Sequence, residues 1–385
     1  MRKPPRHPLK DLQGAVRLVV DGTRGVVDVV ERMHGTIQRW TLPLGRPTSD
    51  RPFGVTGLVY RNLTKGIGRV GDGLDSAVES WTRLMPDVKL PSPRWEGMLA
   101  PLNGVWGDHL EATGNPLALP MSVRLPELRQ PSAPDRADRL LVLAHGLCTG
   151  DDAWATRSGH DHAASLSSEL DLLPIYLQYN TGLRVAANGR SFSALMEVIF
   201  QNWPRPVEQV VLLGYSMGGL VARSACHCAE VEGLAWRSKL TKLITVGTPH
   251  MGAPAERAGT WIDAMLEVSP YSAPLARLTR RRSAGIADLG RGNVTEVDGE
   301  GVPLPDGVQC YALAGNRRPS GAVGASSAAG DGLVPVASAL GRDALGLRSL
   351  AFPEAHRAIV YDVSHVGLLA SREVYEHLRA WTESL

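Results

Sequence analysis

Residues 214–219, "GYSMGG", set Ser216 between glycines in the pattern G-x-S-x-G. They stand directly after the apolar run "VEQVVLLG" and directly before the helical pattern "LVARSACHCAEV". That placement suits a nucleophile. A sharp strand-to-helix turn lifts the hydroxyl clear of a sheet, and a side chain at Gly214 or Gly218 would obstruct so tight a turn. The N-terminus of the following helix adds a positive dipole where negative charge develops in acyl transfer. The plainer alternative is a small residue in a glycine-rich turn, so catalytic partners for Ser216 have to be found elsewhere in the chain.

A serine hydroxyl is a weak nucleophile without a base. Of eleven histidines, His365 in "YDVSHVGLL" is best placed. It follows a short apolar stretch, precedes the terminal helical segment "SREVYEHLRAW" and completes the chain order Ser, Asp, His. His356 in "PEAHRAIV" competes for the role, whereas His377 belongs to the amphipathic terminal helix as a surface residue. The carboxylate that fixes the tautomer of the base is Asp331, in a Gly-Asp-Gly turn after "VQCYALAG", with Asp343 and Asp362 in less loop-like surroundings. Two backbone amides must face the tetrahedral oxyanion. Met217 supplies one, and Leu147 in "VLAHGLCTG" the other, with His145 and Gly146 closing an earlier strand. His145 is then a structural residue of the turn or part of the pocket lining.

These residues need a frame. "PMSVRL" reads as a first strand, and "RLLVLAHG", "LLPIYLQYN", "VEQVVLLG", "LTKLITVG" and "VQCYALAG" read as short strands covered on both faces. Between them "HAASLSSEL", "SFSALMEVIFQNW" and "GLVARSACHCAEVEG" read as helices. Strands alternating with helices predict an α/β fold with a mostly parallel, doubly wound sheet over residues 116–385. Residues 1–115 read as a helical extension. Leu12, Val16, Val19, Thr23, Val26, Val30, Met33 and Ile37 recur at helical spacing, as do Val59, Leu63, Ile67, Val70, Leu74, Ala77 and Trp81, which together make an amphipathic hairpin over about 10–82. A third helix is expected at Gly97–Leu110. The hairpin packs on the catalytic domain or on a second copy, or lies at a membrane surface or partner. Its glycines lower helix propensity and call for close packing.

Composition narrows the rest. The chain has 385 residues, with 41 Lys and Arg against 39 Asp and Glu, a formal charge of +2. That balance excludes a surface dominated by phosphate contacts and does not suggest nucleic acid. Cys148, Cys226, Cys228 and Cys310 are scattered, and Cys226-His227-Cys228 on a helix points to different faces, so buried small hydrophobes suit them better than a metal clip. His160-Asp161-His162 invites a zinc reading, but Asp161 also serves a helix start. No metal and no cofactor is called. The N-terminal stretch lacks an uninterrupted apolar core, with Arg17, Asp21 and Arg24 breaking it, which predicts a cytoplasmic, reduced protein, peripheral to a membrane at most.

Taken in order, "VLAHGLCTGDDAW", "GYSMGG", "GTPHMGAP", "GDGLVP" and "SHVGLL" resemble a bacterial serine esterase or lipase of the α/β-hydrolase superfamily, in the neighbourhood of the GPI inositol deacylase and triacylglycerol lipase groups. The resemblance covers roughly Pro120 to Leu385. It implies an α/β-hydrolase fold, Ser216 as nucleophile, Asp331 as acid, His365 as base, and the Leu147 and Met217 amides as oxyanion hole. It makes His250, in the motif after the next strand, structural or substrate-lining, and leaves the N-terminal helices unexplained.

An insertion over about 251–293 interrupts the strand and helix rhythm with Trp261, Ile262, Met265, Leu266 and Val268. It forms a cap whose apolar underside, including Trp261 and Met265, faces hydrophobic acyl esters, or it simply packs on the body. Arg280, Arg281 and Arg282 meet an anionic headgroup or form a solvated helix face. "QYNTGLRVAANGRSF" reads as a polar loop in which Asn180, Arg184, Asn188 and Arg190 rim the site, or in which Asn188-Gly189 makes a local turn. The expectation is hydrolysis of hydrophobic carboxylic esters through an acyl-serine. Acyl transfer or depolymerisation of an intracellular polyester by the same triad is the enzymatic alternative, and a non-catalytic membrane- or partner-docking protein is the alternative of another class.

Overall fold

Runs of Val, Ile and Leu fold as a central sheet because both of their faces are covered. This computed structural model describes residues 10–24 (residue 12 apart), 31, 54–84, 93–125, 138–154, 161–253, 283–320, 330–343 and 345–383. Seven strands lie in the order β1-β3-β2-β4-β5-β6-β7. They are β1 (Ser122–Arg124), β2 (Arg139–Ala144), β3 (Leu173–Gln178), β4 (Gln209–Tyr215), β5 (Leu240–Val246), β6 (Gln309–Asn316) and β7 (Arg357–Tyr361). The first pairs antiparallel with β3, and the remaining neighbours are parallel. This is an α/β-hydrolase fold. β4 lies in the middle, so its C-terminal end opens at the centre of the edge where parallel sheets carry their sites.

The pleat divides each strand between two layers. Leu140, Val142, Val210 and Leu212 join one buried cluster with Phe192 and Met196 of helix α5 (Val185–Gln201) and Leu220 and Val221 of α6 (Met217–Glu232). Leu141, Leu143, Val211 and Leu213 join the opposite cluster with Ala163 and Leu166 of α4 (His162–Leu170) and Val374, Leu378 and Trp381 of α8 (Arg372–Glu383). Val210, Val211, Leu212 and Leu213 are each at most 1% exposed. Burying such side chains stabilises by roughly 1.5–3 kcal/mol apiece. The one lysine in this layer, Lys242 of β5, donates to the carbonyls of Trp381 (2.7 Å) and Thr382 (3.0 Å), placing a cation at the C-terminal end of α8.

By its internal contacts the chain forms two compact units: Met1–Lys3, Pro93–His109 and Leu119–Leu385 make the larger, and Pro4–Ser92 with Leu110–Ala118 the smaller. Helix α3 (Pro93–Ala112) contributes residues to each, and it takes in the expected Gly97–Leu110. In the smaller unit, α1 (residues 10–24) and α2 (Gly54–Leu84) correspond to the two arms of the expected hairpin, while residues 32–53 lie outside the described residues. Arg17 of α1 pairs with Asp75 of α2 at 2.8 Å, and a Cβ on Gly71 would stand 2.8 Å from Val20. Leu58, Val59, Leu63, Val70 and Leu74 of α2 are exposed. Among the described residues no helix is long and apolar enough to cross a membrane.

One expectation is corrected. The stretch read as a polar loop after β3 becomes helix at Val185, and Asn188 is buried with its Nδ2 donating to the Asn180 carbonyl (2.9 Å). Asn188-Gly189 is therefore no turn. A Cβ on Gly189 would stand 2.9 Å from the Ser224 carbonyl carbon of α6, so close helix packing overrides the turn preference of the dipeptide. The apolar stretch before His365 is a seventh strand, β7.

Candidate active site

Everything at the site starts from the end of β4. Ser216 occupies φ 54°, ψ −123°, a conformation that residues with a side chain adopt only where surroundings enforce it. Two glycines show what enforces it. A Cβ on Gly214 would stand 2.6 Å from the Gly219 backbone, and one on Gly218 would stand 2.6 Å from the His145 carbonyl and nearer still to that of Ala144. The Ser216 amide donates to the Val246 carbonyl at 2.8 Å, which ties the elbow to β5.

The structure brings Ser216, Asp331 and His365 together. His365 Nε2 lies 2.9 Å from Ser216 Oγ, and its Nδ1 lies 2.7 Å from Asp331 Oδ2. All three are buried. The other carboxylate oxygen, Oδ1, accepts from the amides of Leu333 (3.0 Å) and Val334 (2.8 Å), so the turn that sequence reads as Gly-Asp-Gly aims the carboxylate by its own backbone. The His365 amide donates to the Asp331 carbonyl at 2.9 Å, which joins the two residues by main chain as well.

A further holder was hidden inside the motif itself. Tyr215 donates its hydroxyl to the His365 carbonyl at 3.0 Å, and its ring lies 5.1 Å from the imidazole. Burial and the nearby Asp331 push the Tyr215 hydroxyl well above its usual range, so it remains a donor. A lone Tyr in the x position gives no signal of this contact in sequence.

The rival residues lie elsewhere. His356 stacks on Tyr311 and sets Nδ1 3.2 Å from the Cys310 carbonyl, and His377 lies against Trp381 of α8. Asp343 accepts from the Leu347 and Arg348 amides as a turn residue, and Asp362 is exposed.

His145 and His250 are both buried. His145 stacks on Tyr179, and its Nδ1 lies 2.9 Å from the Gly146 carbonyl. Burial lowers its proton affinity, and burial together with Arg223 holds that of His250 well below the usual histidine value. His250 sits between Thr245 Oγ1 (3.1 Å from Nε2) and Arg223 (3.4 Å from Nδ1), so its ring packs within the scaffold behind α6. Trp261 and Met265 lie outside the described residues.

Leu147 is buried in a turn directly after His145 and Gly146. A Cβ on Gly146 would stand 3.1 Å from the Ser216 Cβ, so this turn passes beside Ser216. Met217 opens α6, where a first-turn amide has no partner within its own helix.

The remaining sequence candidates resolve as follows. Asp161 caps α4 by accepting from the Ala164 amide at 2.9 Å, and His162 Nε2 lies 2.9 Å from the Leu368 carbonyl. Cys226 and Cys228 both lie on α6, and burial pushes the Cys148 and Cys310 thiols up to about 12. Arg184 pairs with Asp288 of α7 (Ala284–Arg291) at 2.9 Å, and Arg190 pairs with Glu296. Asp288 Oδ2 also accepts from the Val185 amide at 3.0 Å, fastening the described end of the insertion to the start of α5.

Residues 177–283 match the PGAP1-like alpha/beta domain family. That span takes in Ser216 and ends before Asp331 and His365. No curated protein matches the chain. Among solved structures, the lipase BlEst2 of Bacillus licheniformis in mature form is 18% identical, with a TM-score of 0.41 over 65% of this chain and 93% of that one. The Pyrobaculum calidifontis esterase is 13% identical, with a TM-score of 0.41 over 68% and 79%. The Pyrococcus furiosus esterase Pf2001 is 12% identical, with a TM-score of 0.38 over 64% and 81%.

Proposed function

We propose that the chain is a serine hydrolase that cleaves carboxylic esters through an acyl-Ser216 intermediate. The observation that carries this reading is the hydrogen-bonded line from Asp331 Oδ2 to His365 to Ser216 Oγ, at 2.7 and 2.9 Å, on a strained elbow. His365 Nε2 takes the hydroxyl proton as Ser216 Oγ bonds to the acyl carbon, and the carbonyl oxygen becomes an oxyanion facing the amides of Leu147 and Met217. The C–O bond to the leaving alcohol then breaks, and that oxygen takes the proton from His365. Water repeats the sequence on the acyl-serine, giving its proton to His365, and the acid leaves as Ser216 recovers its hydrogen. Asp331 keeps the base in the tautomer with Nδ1 protonated.

A hydrophobic acyl group is the substrate class that the insertion supports, through the apolar residues Trp261, Ile262, Met265 and Leu266. All four cysteines are free, which suits a reducing compartment such as the cytoplasm.

A fluorophosphonate probe should label the wild-type chain and leave Ser216→Ala unlabelled, with ester hydrolysis falling by about 10³-fold or more in the variant. Folded wild-type protein that takes no label would overturn the assignment. Nitrophenyl esters graded by chain length test the substrate class, with longer acyl chains expected to give the higher kcat/KM.

A further inference from the structure

The part of α3 in the larger unit, Pro93–His109, contributes nothing to the triad, yet it lies directly against the turn that presents Leu147. That turn runs Gly146-Leu147-Cys148-Thr149, with the Thr149 amide directed at the Gly146 carbonyl at 3.4 Å. Cys148, its third residue, sits at φ 58°. A turn of this kind favours glycine there, so a cysteine holds the conformation only where its neighbours impose it.

Those neighbours are specific. The Cys148 amide donates to Thr181 Oγ1 at 3.2 Å. A Cβ on Gly104 would stand 3.0 Å from both the Cα and the N of Cys148, and closer still to its Sγ. One helical turn further, Asn180 Nδ2 donates to the Gly107 carbonyl at 2.9 Å while its Oδ1 accepts from the Gly182 amide at 3.1 Å. At the described end of the insertion, Ser283 Oγ donates to the Gly104 carbonyl at 2.7 Å and Asp108 Oδ2 accepts from the Ala284 amide at 3.3 Å. One short stretch of helix therefore touches the oxyanion turn, the loop after β3 and the start of α7.

We propose that this helix is the backstop of the oxyanion turn, and that Gly104 is its positioning residue. The missing side chain at Gly104 sets where Cys148 stands, and through it the direction of the Leu147 amide. Asn180, Asp108 and Ser283 fix the helix against the loops on either side. The inference rests on the Ser216 reading above.

Gly104→Ala should lower kcat toward nitrophenyl esters about 10-fold or more while KM stays within about 3-fold, as expected when transition-state contacts alone are lost. Alanine is the better helix former, so an effect confined to the helix would leave kcat unchanged and raise the melting temperature. Cys148→Gly suits φ 58° and removes the obstructing Sγ. In the double variant kcat should therefore rise above that of Gly104→Ala, only the close contacts to the Cys148 Cα and N remaining. Wild-type kcat in Gly104→Ala, or a loss that Cys148→Gly does not relieve at an unchanged melting temperature, overturns the proposal.

If Gly104→Ala does not fold, Thr181→Val removes the acceptor for the Cys148 amide. It should lower kcat several-fold at unchanged KM, and unchanged kcat there counts equally against the proposal. Wild-type protein that neither labels with fluorophosphonate nor cleaves esters removes the Ser216 reading itself. An active wild type beside an equally active Gly104→Ala removes only this one.

Discussion

Glycine means opposite things at the elbow after β4 and along the exposed face of α2. At the strand ends of the larger unit a Cβ on Gly214 or Gly218 would run into backbone, whereas one on Gly22, Gly66 or Gly73 in the helices of the smaller unit would meet nothing within 4 Å. At Gly218 the Ala144 and His145 carbonyls already occupy the space a side chain would need. Gly66 and Gly73 lie exposed in α2 and only weaken it. The same residue records close backbone packing at Gly214 and Gly218 and open space at Gly66 and Gly73. What distinguishes the two is the density of neighbours, which a count of glycines does not reveal.

The sharpest way to break this contrast is Gly218→Ala. With carbonyl oxygens in the way, the variant should lose esterase activity by more than about 100-fold and unfold at least about 3 kcal/mol more easily. Denaturant melts and ester kinetics measure both, and a tolerated alanine would mean the elbow is not closed by backbone.

Acid should separate the units next. His145 and His250 are held below the usual histidine value of 6.5 by burial, with Arg223 adding to the effect at His250, so below that value the unfolded chain binds protons that the folded one refuses. Stability is full above about pH 6.5 and declines as pH falls, by up to about 1.4 kcal/mol per pH unit for each histidine. In the smaller unit the Arg17 hydrogen bond lowers Asp75 below 3.8, so that contribution persists until pH drops beneath 3.8. Amide protection in β4 and β5, taken relative to the intrinsic exchange rate at each pH, should therefore fall between pH 6.5 and 5, with no matching change attributable to the Arg17–Asp75 pair. A flat profile in the larger unit would contradict the buried, neutral histidines.

The mildest expected effect runs the other way. Gly66→Ala or Gly73→Ala should stabilise α2 by about 0.5–1 kcal/mol, read as slower amide exchange there.

Much of the site was legible because its chemistry is local. Ser216 lies at the elbow between the apolar run Val210–Leu213 and a helix, and Asp331 is aimed by amides only two and three residues away. The unbroken apolar runs Leu140–Ala144 and Val210–Leu213 likewise announce strands covered on both faces. What sequence hid is contact between distant segments. Asn188-Gly189 reads as a turn until α6 packs against Gly189. β7 is five residues long, with only Ala358 and Val360 on its buried face, so it carries little periodic signal. Gly104 looks like a weak point in a helix, and only the position of Cys148 shows its use. The Tyr215 hydroxyl reaches across 150 positions to a carbonyl, which no spacing rule encodes.

The order of the strands also has a consequence in time. Ser216 is bonded to a residue 149 positions away, delivered by β7 at the edge of the sheet, where it pairs with β6. Contacts that close long stretches of chain form late, and edge strands have the fewest partners to hold them. Loosening that begins at this edge would take His365 from the serine while β2, β4 and β5 still hold together. Inactivation should thus precede loss of secondary structure on heating, and recovery of turnover should trail it on refolding.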